Sequence, residues 1–392
     1  LDTEEIRRFR ETISREELGN WYQNLIDAYH KWVSYQLLWR KKRNASMEKL
    51  EFPFPYRRGQ REMVAGIYHA ISEKKQIFIQ APTGIGKTMS AIFPAVRSIG
   101  KELGETLFYL TARTITRTVA EEAFEILRGK GLHFKSITIT AKEKMCFCDE
   151  MDCDPQKCAY AKGHYDRVND AVYELWTRTE TFNRETILAQ AEKYRVCPFE
   201  MTLDLAIWMD GVVCDYNYVF DPDVYLKRFF GENVKGKYIF LIDEAHNLVE
   251  RGREMYSASI SKEEIEDARK FSRLYSSRLY RMLGKAAKQM KVMQSECSSS
   301  GQILENAGTL PVSLLSIQGE IDKLLEESTS QEFADGILDF YFEVREFLNI
   351  SELVDENYVT YVSADEDGKF RMKLFCVNPA ANLQKCLDRG IS

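Results

Sequence analysis

No stretch of this sequence approaches the roughly 20 consecutive apolar residues that a membrane-crossing helix needs, and no charged-then-apolar leader opens it. The expectation is a cytoplasmic protein with no membrane partner. An excess of positive charge is also missing. The formal net charge is -6, so a nucleic-acid surface has to be a local patch. The nine cysteines include no tight C-x2-C pair of the kind that structural zinc sites use. An initiating methionine is lacking too, since residue 1 is Leu, and we expect a piece of a longer chain.

What is present is led by Gln80-Ala81-Pro82-Thr83-Gly84-Ile85-Gly86-Lys87-Thr88. The apolar run Ile77-Phe78-Ile79 before it and a helical pattern after it predict strand, phosphate loop and helix. Gly84 and Gly86 free the backbone to turn its N–H groups toward a phosphate at the helix start. Lys87 reaches the outer phosphates, and the Thr88 hydroxyl can hold magnesium. A chain of 392 residues allows two or three domains.

A buried-strand pattern over Tyr238 to Ile242 delivers Asp243-Glu244-Ala245-His246. Asp243 can hold the magnesium hydration shell, and Glu244 can take the proton from an attacking water. His246 can report nucleotide state. An Asp-Glu pair at a helix start is usually a cap; after a matching phosphate loop it reads as the second half of the nucleotide site. Two further strand candidates, Thr106 to Leu110 and Val212 to Cys214, end in polar loops: Thr111 to Thr114, and Asp215 to Pro222. Open α/β sheets bind their ligands at such carboxyl ends. A third candidate covers Phe134 to Thr140.

Cys146, Cys148, Cys153 and Cys158 lie close together, and Cys197 follows in Val196-Cys197-Pro198. An intracellular chain keeps few disulfides, so a metal or cluster site is the physical explanation. Four thiolates spread over a long loop and ending in Cys-Pro suit a four-iron cluster best, with zinc and unliganded thiols as the other readings.

The N-terminal stretch from Glu4 to Arg43 repeats Leu18, Trp21, Leu25, Ile26, Tyr29, Trp32, Val33 and Leu37 at helical spacing, as an amphipathic helix packed on a neighbour would. From Met255 to about Glu356 the pattern is helical without strand signal. Helices are expected over Ala268 to Met293, Leu314 to Leu325 and Phe333 to Leu348. Arg269, Lys270, Arg273, Arg278, Arg281, Lys285, Lys288 and Lys291 form one run free of acidic residues, with Tyr275 and Tyr280 interleaved. Such a run can grip single-stranded backbone, although charge runs are more often solvated faces. Tyr358 to Ser363 and Lys369 to Val377 predict a hairpin around Asp365-Glu366-Asp367-Gly368.

In their order, these motifs resemble the XPD/DinG-like iron-sulfur superfamily 2 DNA helicases, of the bacterial kind, and Ala81 at the head of the phosphate loop is similar to the helicase form of that loop. The resemblance implies an α/β, RecA-like P-loop motor domain: a parallel sheet with flanking helices, a Cys-rich iron-sulfur insertion and a helical arch insertion. It implies ATP, magnesium and a [4Fe-4S] cluster, and 5'-to-3' movement on single-stranded or forked DNA by a monomeric motor, in a DNA-repair setting. Gln60 would pair with the adenine edge, and Thr83, Gly84, Gly86, Lys87, Thr88 and Asp243 would bind nucleotide. Lys87, Asp243, Glu244 and His246 would carry catalysis. Cys146, Cys153, Cys158 and Cys197 would be the cluster ligands, with Cys148 spare.

The implied domains are N-terminal helices (1–50), motor (51–140 and 201–255), iron-sulfur insertion (141–200), arch (256–357) and a return to the motor (358–392). The second motor domain, with its arginines, is expected to lie beyond, leaving this piece inactive alone. Two alternatives remain: a non-enzymatic nucleic-acid-binding module with a zinc-stabilised insertion and a vestigial nucleotide site, and an ATP-driven translocase that does not unwind.

Overall fold

The computed structural model describes residues 10, 12–82, 84–112, 114–149, 151–297, 301–327, 330–364 and 368–392. Its strands are β1 (Thr106–Leu110), β2 (Ser136–Thr138), β3 (Thr181–Phe182), β4 (Gly211–Cys214), β5 (Tyr238–Ile242), β6 (Ala258–Ser261), β7 (Gln302–Leu304), β8 (Tyr358–Ala364), β9 (Phe370–Cys376) and β10 (Gly390–Ile391). The first four helices are α1 (Arg15–Lys49), α2 (Gln60–Glu73), α3 (Lys87–Gly100) and α4 (Thr114–Gly129). No helix among the described residues is long and apolar enough to cross a membrane.

Six strands form one parallel sheet in the order β10-β5-β1-β4-β2-β3. Strands buried on both faces read as unbroken apolar runs, which is why Leu107-Phe108-Tyr109-Leu110 and Ile239-Phe240-Leu241 were legible without alternation. Alternate side chains serve the two faces. Leu107, Tyr109, Val213 and Ile239 pack with α2, α3, α4 and the end of α1. Phe108, Leu110, Val212, Cys214 and Phe240 pack with helices from the cysteine-rich segment, among them His164–Arg178 and Pro198–Ala206.

The second sheet departs from the sequence reading. β8 and β9 form the expected hairpin, although residues 365–367 of its turn lie outside the described residues. This hairpin pairs antiparallel with β6 and β7, giving the order β6-β9-β8-β7. Both added strands fall where only helix was expected. Each is short, and neither has an apolar run of its own; pairing with a distant hairpin makes them strands. Four helices cover this sheet: Lys262–Ser272, Ser277–Glu296, Leu310–Glu326 and Gln331–Ser351. Around Phe333, Ile337, Val344, Leu283 and Met372 they build a core of their own. The first two replace the single helix read over Ala268 to Met293, because the Ser276 side chain caps the second by accepting from the Leu279 N–H.

Two more expectations fail. Ile77-Phe78-Ile79 forms no strand; its backbone bond is from the Ile77 N–H to the Ser392 carbonyl at 3.1 Å, and Phe78 is 86 % exposed. One bond is not a ladder. In α1 the recurrent apolar residues Leu18, Trp21, Leu25, Ile26, Tyr29 and Leu37 are exposed. Trp32 of the same series does pack, against Tyr173, Trp176 and Trp208, and the helix docks further through Trp39, Arg43 and Met47. The Arg43 guanidinium reaches the Asp210 carboxylate at 2.6 Å, and the Trp39 indole N–H donates to the same carboxylate at 3.0 Å. Asp210 also accepts the Lys135 N–H at 2.9 Å, so one buried carboxylate ties α1 to the start of β4 and to the residue before β2.

Candidate functional site

The phosphate-loop motif turns as its glycines allow. Gly84 and Gly86 have φ of +81° and +82°, a region that L side chains rarely adopt. Gly86 precedes α3, so the free N–H groups of that helix start at Lys87. A Cβ on Gly86 would meet the Gln60 amide nitrogen at 2.8 Å. Gln60 is buried; its amide donates to the Ile85 carbonyl and accepts the Arg57 N–H at 2.7 Å. Arg57 donates to the Gly84 carbonyl. The residue expected to read adenine thus spends both ends of its amide on the loop and its own turn. Thr83 lies outside the described residues.

Parallel pairing of β1 with β5 sets the carboxylates of the Asp-Glu pair beside this loop. Asp243 continues the ladder, its N–H donating to the Leu110 carbonyl at 2.9 Å. The Lys87 ammonium lies 3.3 Å from the Glu244 carboxylate. Glu244 has φ +51°, a left-handed conformation uncommon outside glycine, and the Tyr216 hydroxyl donates to the carbonyls of Asp243 and Glu244. The exposed His246 imidazole stands 3.5 Å from the other Glu244 oxygen. Burial, and then the charge of Glu244, push the Asp243 carboxyl above its ordinary range.

Sequence reasoning missed Tyr109. It is 3 % exposed, lies near the carboxyl end of β1, and its hydroxyl is close enough to Thr88 and the Asp243 carboxylate for both to act on it. It therefore lies beside the two groups expected to hold magnesium. Burial and the Asp243 charge raise its phenol well above the ordinary range, so it remains a neutral donor. A tyrosine inside an apolar strand gives no signal apart from the one polar atom it must satisfy.

A second missed constellation lies at the end of β4. Asp215 takes Arg117 of α4 at 3.4 Å and Arg251 at 3.6 Å, and Arg251 also donates to Asn217 at 3.0 Å. Arg251 belongs to the helix Leu248–Met255 that follows the Asp-Glu pair, so this network links three elements around the candidate site. Of the loop after β1, Arg113 lies outside the described residues, and the Thr111 hydroxyl meets that of Thr116.

Cys146 caps the short helix Lys142–Met145, and Cys148, Cys153, Cys158 and Cys197 follow it in the chain. The Cys146 N–H donates to the Lys142 carbonyl at 2.9 Å. Interaction with Cys153, and less with Cys197, holds the Lys142 ammonium above its ordinary range. The Cys197 N–H donates to Nδ1 of the buried His164 at 3.1 Å, and burial raises its thiol. Cys148 Sγ is 3.9 Å from Cys158 Sγ, and its N–H faces Cys146 Sγ at 3.4 Å. None of the nine cysteines is in a disulfide. Among the described residues no three His, Cys, Asp or Glu side chains converge closely enough to hold a metal ion. Beside this segment a cleft of about 420 Å³ is lined by Lys142, Phe199, Tyr218, Tyr225, Lys227 and Arg228 among others.

The basic run divides into spent and free charges. Arg269 lies over the Tyr280 ring at 4.6 Å, Tyr275 packs on Phe271 and Phe333, and Arg278 pairs with the buried Glu320 at 3.1 Å. The interleaved aromatics are therefore engaged inside the helical unit. Arg281, Lys285, Lys288 and Lys291 remain exposed along one helix, without an acidic partner among the described residues.

Comparison with known proteins agrees with this geometry. Residues 57–179 match the sequence model of the DEAD/DEAH box helicase family, and residues 132–265 match that of DEAD_2. The regulator of telomere elongation helicase 1 of Bos taurus is 20 % identical over 327 residues, covering 70 % of this chain and 26 % of that protein. The ATP-dependent DNA helicase DinG of Shigella flexneri is 24 % identical over 181 residues, covering 36 % of this chain and 25 % of that one. This chain thus spans about a quarter of the length of these relatives. A solved XPD helicase superposes with a TM-score of 0.54 at 16 % identity, over 86 % of this chain and 57 % of that chain, and so shares the fold.

Proposed function

Because this chain is an XPD/DinG-like helicase sequence, we propose that it is the first motor domain of an ATP-dependent DNA helicase that couples ATP hydrolysis to 5'-to-3' movement on single-stranded or forked DNA. The observation that carries this reading is the convergence of the phosphate loop with the Asp-Glu pair, where Lys87 reaches Glu244 across 157 residues at 3.3 Å and Tyr109 lies beside Thr88 and Asp243. Lys87 is free to leave its half-exposed carboxylate for the outer phosphates. Glu244 then becomes available as the base for water. Thr88 and Asp243 would hold magnesium, which when bound neutralises phosphate charge. Gln60 would exchange its bonds to the loop for the adenine edge, so base binding and loop opening would be one event. His246, exposed beside Glu244, would pass nucleotide state outward.

The DNA path in this reading runs over the cleft that combines Lys142 and Lys227 with Tyr218, Tyr225 and Phe199, since cations follow a backbone and rings stack on bases; Arg228 there is paired with Glu200 and Asp204, and Glu143 and Asp223 also line it. The four-helix unit, with the β8–β9 hairpin paired into its sheet, is the arch. Residues 141–200 are the insertion that would carry a [4Fe-4S] cluster on Cys146, Cys153, Cys158 and Cys197. The donors are free thiols from two segments, as a cluster needs, although the described residues hold no preformed group of three ligands and the His164 imidazole stands beside Cys197. A bound cluster would pin the two segments together.

One distance favours the zinc alternative, since thiolates about 2.3 Å from a tetrahedral ion lie roughly 3.8 Å apart, close to the 3.9 Å between Cys148 and Cys158. Anaerobic purification followed by an absorption spectrum and metal analysis decides between them: iron with brown colour supports the cluster, and stoichiometric colourless zinc overturns it. For the motor itself, magnesium-ATP binding and DNA-stimulated hydrolysis are compared for this chain and a longer chain containing it. Failure of both proteins to bind ATP sinks the proposal.

A further inference from the structure

Of the five thiols in this cysteine-rich segment, one pair is in sulfur–sulfur contact. We propose that Cys148 and Cys158 are a reversible oxidation site, closing to a disulfide whenever Cys158 carries no metal. The inference stands on geometry and does not require the cluster reading. Cys148 Sγ lies 3.9 Å from Cys158 Sγ, and forming the bond brings the sulfurs to about 2.05 Å, a movement within reach of side-chain rotation.

Local structure selects this pair over the alternatives. Cys158 is fixed in a turn: its N–H donates to the Asp154 carbonyl at 2.8 Å, and its carbonyl accepts from Ala161 and Lys162. That turn is braced by the Lys157 ammonium on Asp152 at 2.6 Å. Cys153 is exposed and makes no hydrogen bond to another thiol among the described residues, and the Cys197 N–H is held by His164 at the start of the next helix. Cys148 alone faces Cys158, and it is partly exposed, so a small oxidant can reach it.

The chemistry balances with a disulfide oxidant such as glutathione disulfide. One cysteine attacks as thiolate, giving a mixed disulfide and releasing one glutathione. The second thiol loses its proton, attacks the protein sulfur of that mixed disulfide and expels the second glutathione. Two protein thiols are oxidised, and one glutathione disulfide is reduced to two thiols. The consequence is protection: a thiol left alone proceeds to sulfinic acid, which simple thiols do not reverse, whereas the disulfide returns to two thiols on reduction. Cys148 is then a resolving thiol, not a surplus one.

The test uses the whole chain. Metal content and spectrum are recorded first; the metal is then removed with chelator, and the protein is treated with glutathione disulfide. Cleavage before Asp149, Asp152 and Asp154 separates Cys148, Cys153 and Cys158 onto different peptides, which are read by non-reducing mass spectrometry. The expected product joins the Cys148 and Cys158 peptides and disappears on reduction. Cys148→Ser and Cys148→Ala should abolish that product, leave Cys158 as its glutathione adduct, and lower thiol recovery after peroxide several-fold. A dominant Cys158 link to Cys153 or Cys197, or an unchanged link in both variants, overturns the pair. A preparation that never held iron yet forms the link sinks the cluster reading and keeps this one. Iron-bearing protein that forms no link after metal removal does the reverse.

Discussion

The Lys87 ammonium and the Glu244 carboxylate stand 3.3 Å apart, each about a third to two-fifths exposed. An ion pair that open to solvent contributes about 0–1 kcal/mol. The two residues are therefore neighbours because their strands and loops bring them together, and either can change partner at little cost.

Lys87→Ala should leave the melting temperature within a few degrees of wild type and weaken magnesium-ATP binding about tenfold or more. Calorimetric titration beside a thermal melt measures both. Equal affinity in the two proteins would remove the loop from the mechanism.

Arg43 and Asp210 behave oppositely, because both are buried, with side-chain exposures of 9 % and 4 %. Truncating one partner of such a pair costs about 3–5 kcal/mol, since the other charge is left unpaired. Arg43→Ala should lower stability by that order and expose α1 to proteolysis. A protected α1 in the variant would show that Trp39 and Met47 suffice to hold it.

Lys135 supplies a pH signature. Its ammonium is fully buried, donates to the Tyr35 hydroxyl at 3.2 Å and the Thr179 carbonyl at 3.0 Å, and burial lowers its pKa to about 8. Below that value the group is charged both folded and unfolded, and the full burial cost is present. Between about 8 and the ordinary 10.5 the folded protein releases the proton first, so stability from this group rises with pH. Urea titrations at several values in that window should show wild type gaining on Lys135→Met, and parallel curves would assign the pH dependence elsewhere.

For the basic helix, the useful variant is Arg281→Ala with Lys285→Ala and Lys288→Ala, leaving Arg278 to its buried partner Glu320. Single-strand affinity should fall, and the log-log salt slope should shrink by up to about 2, at roughly 0.7 per phosphate contact. Including Arg278 would confuse the result, because Glu320 would be left buried and unpaired. An unchanged slope would make the stripe a solvated face.

Local chemistry determined what the sequence could reveal. The glycines and Lys87-Thr88 of the loop, the Asp243-Glu244 pair, and the apolar runs of β1, β4 and β5 are each written in a few adjacent residues, because a turn, a helix start or a doubly buried strand has a short-range composition. The tertiary structure decided everything that depends on which distant residues meet. The register of β1 against β5 brought Tyr109 near Thr88 and Asp243. Residue 210 became the anchor of α1 although 167 positions separate it from Arg43. β6 and β7 became strands because a distant hairpin offered its edges, and Ile77-Phe78-Ile79, apolar enough for a strand, stayed outside the sheet for want of a ladder. Periodicity reports which face of a segment is apolar; it carries no information on the partner that covers that face, and long-range pairing alone supplies it.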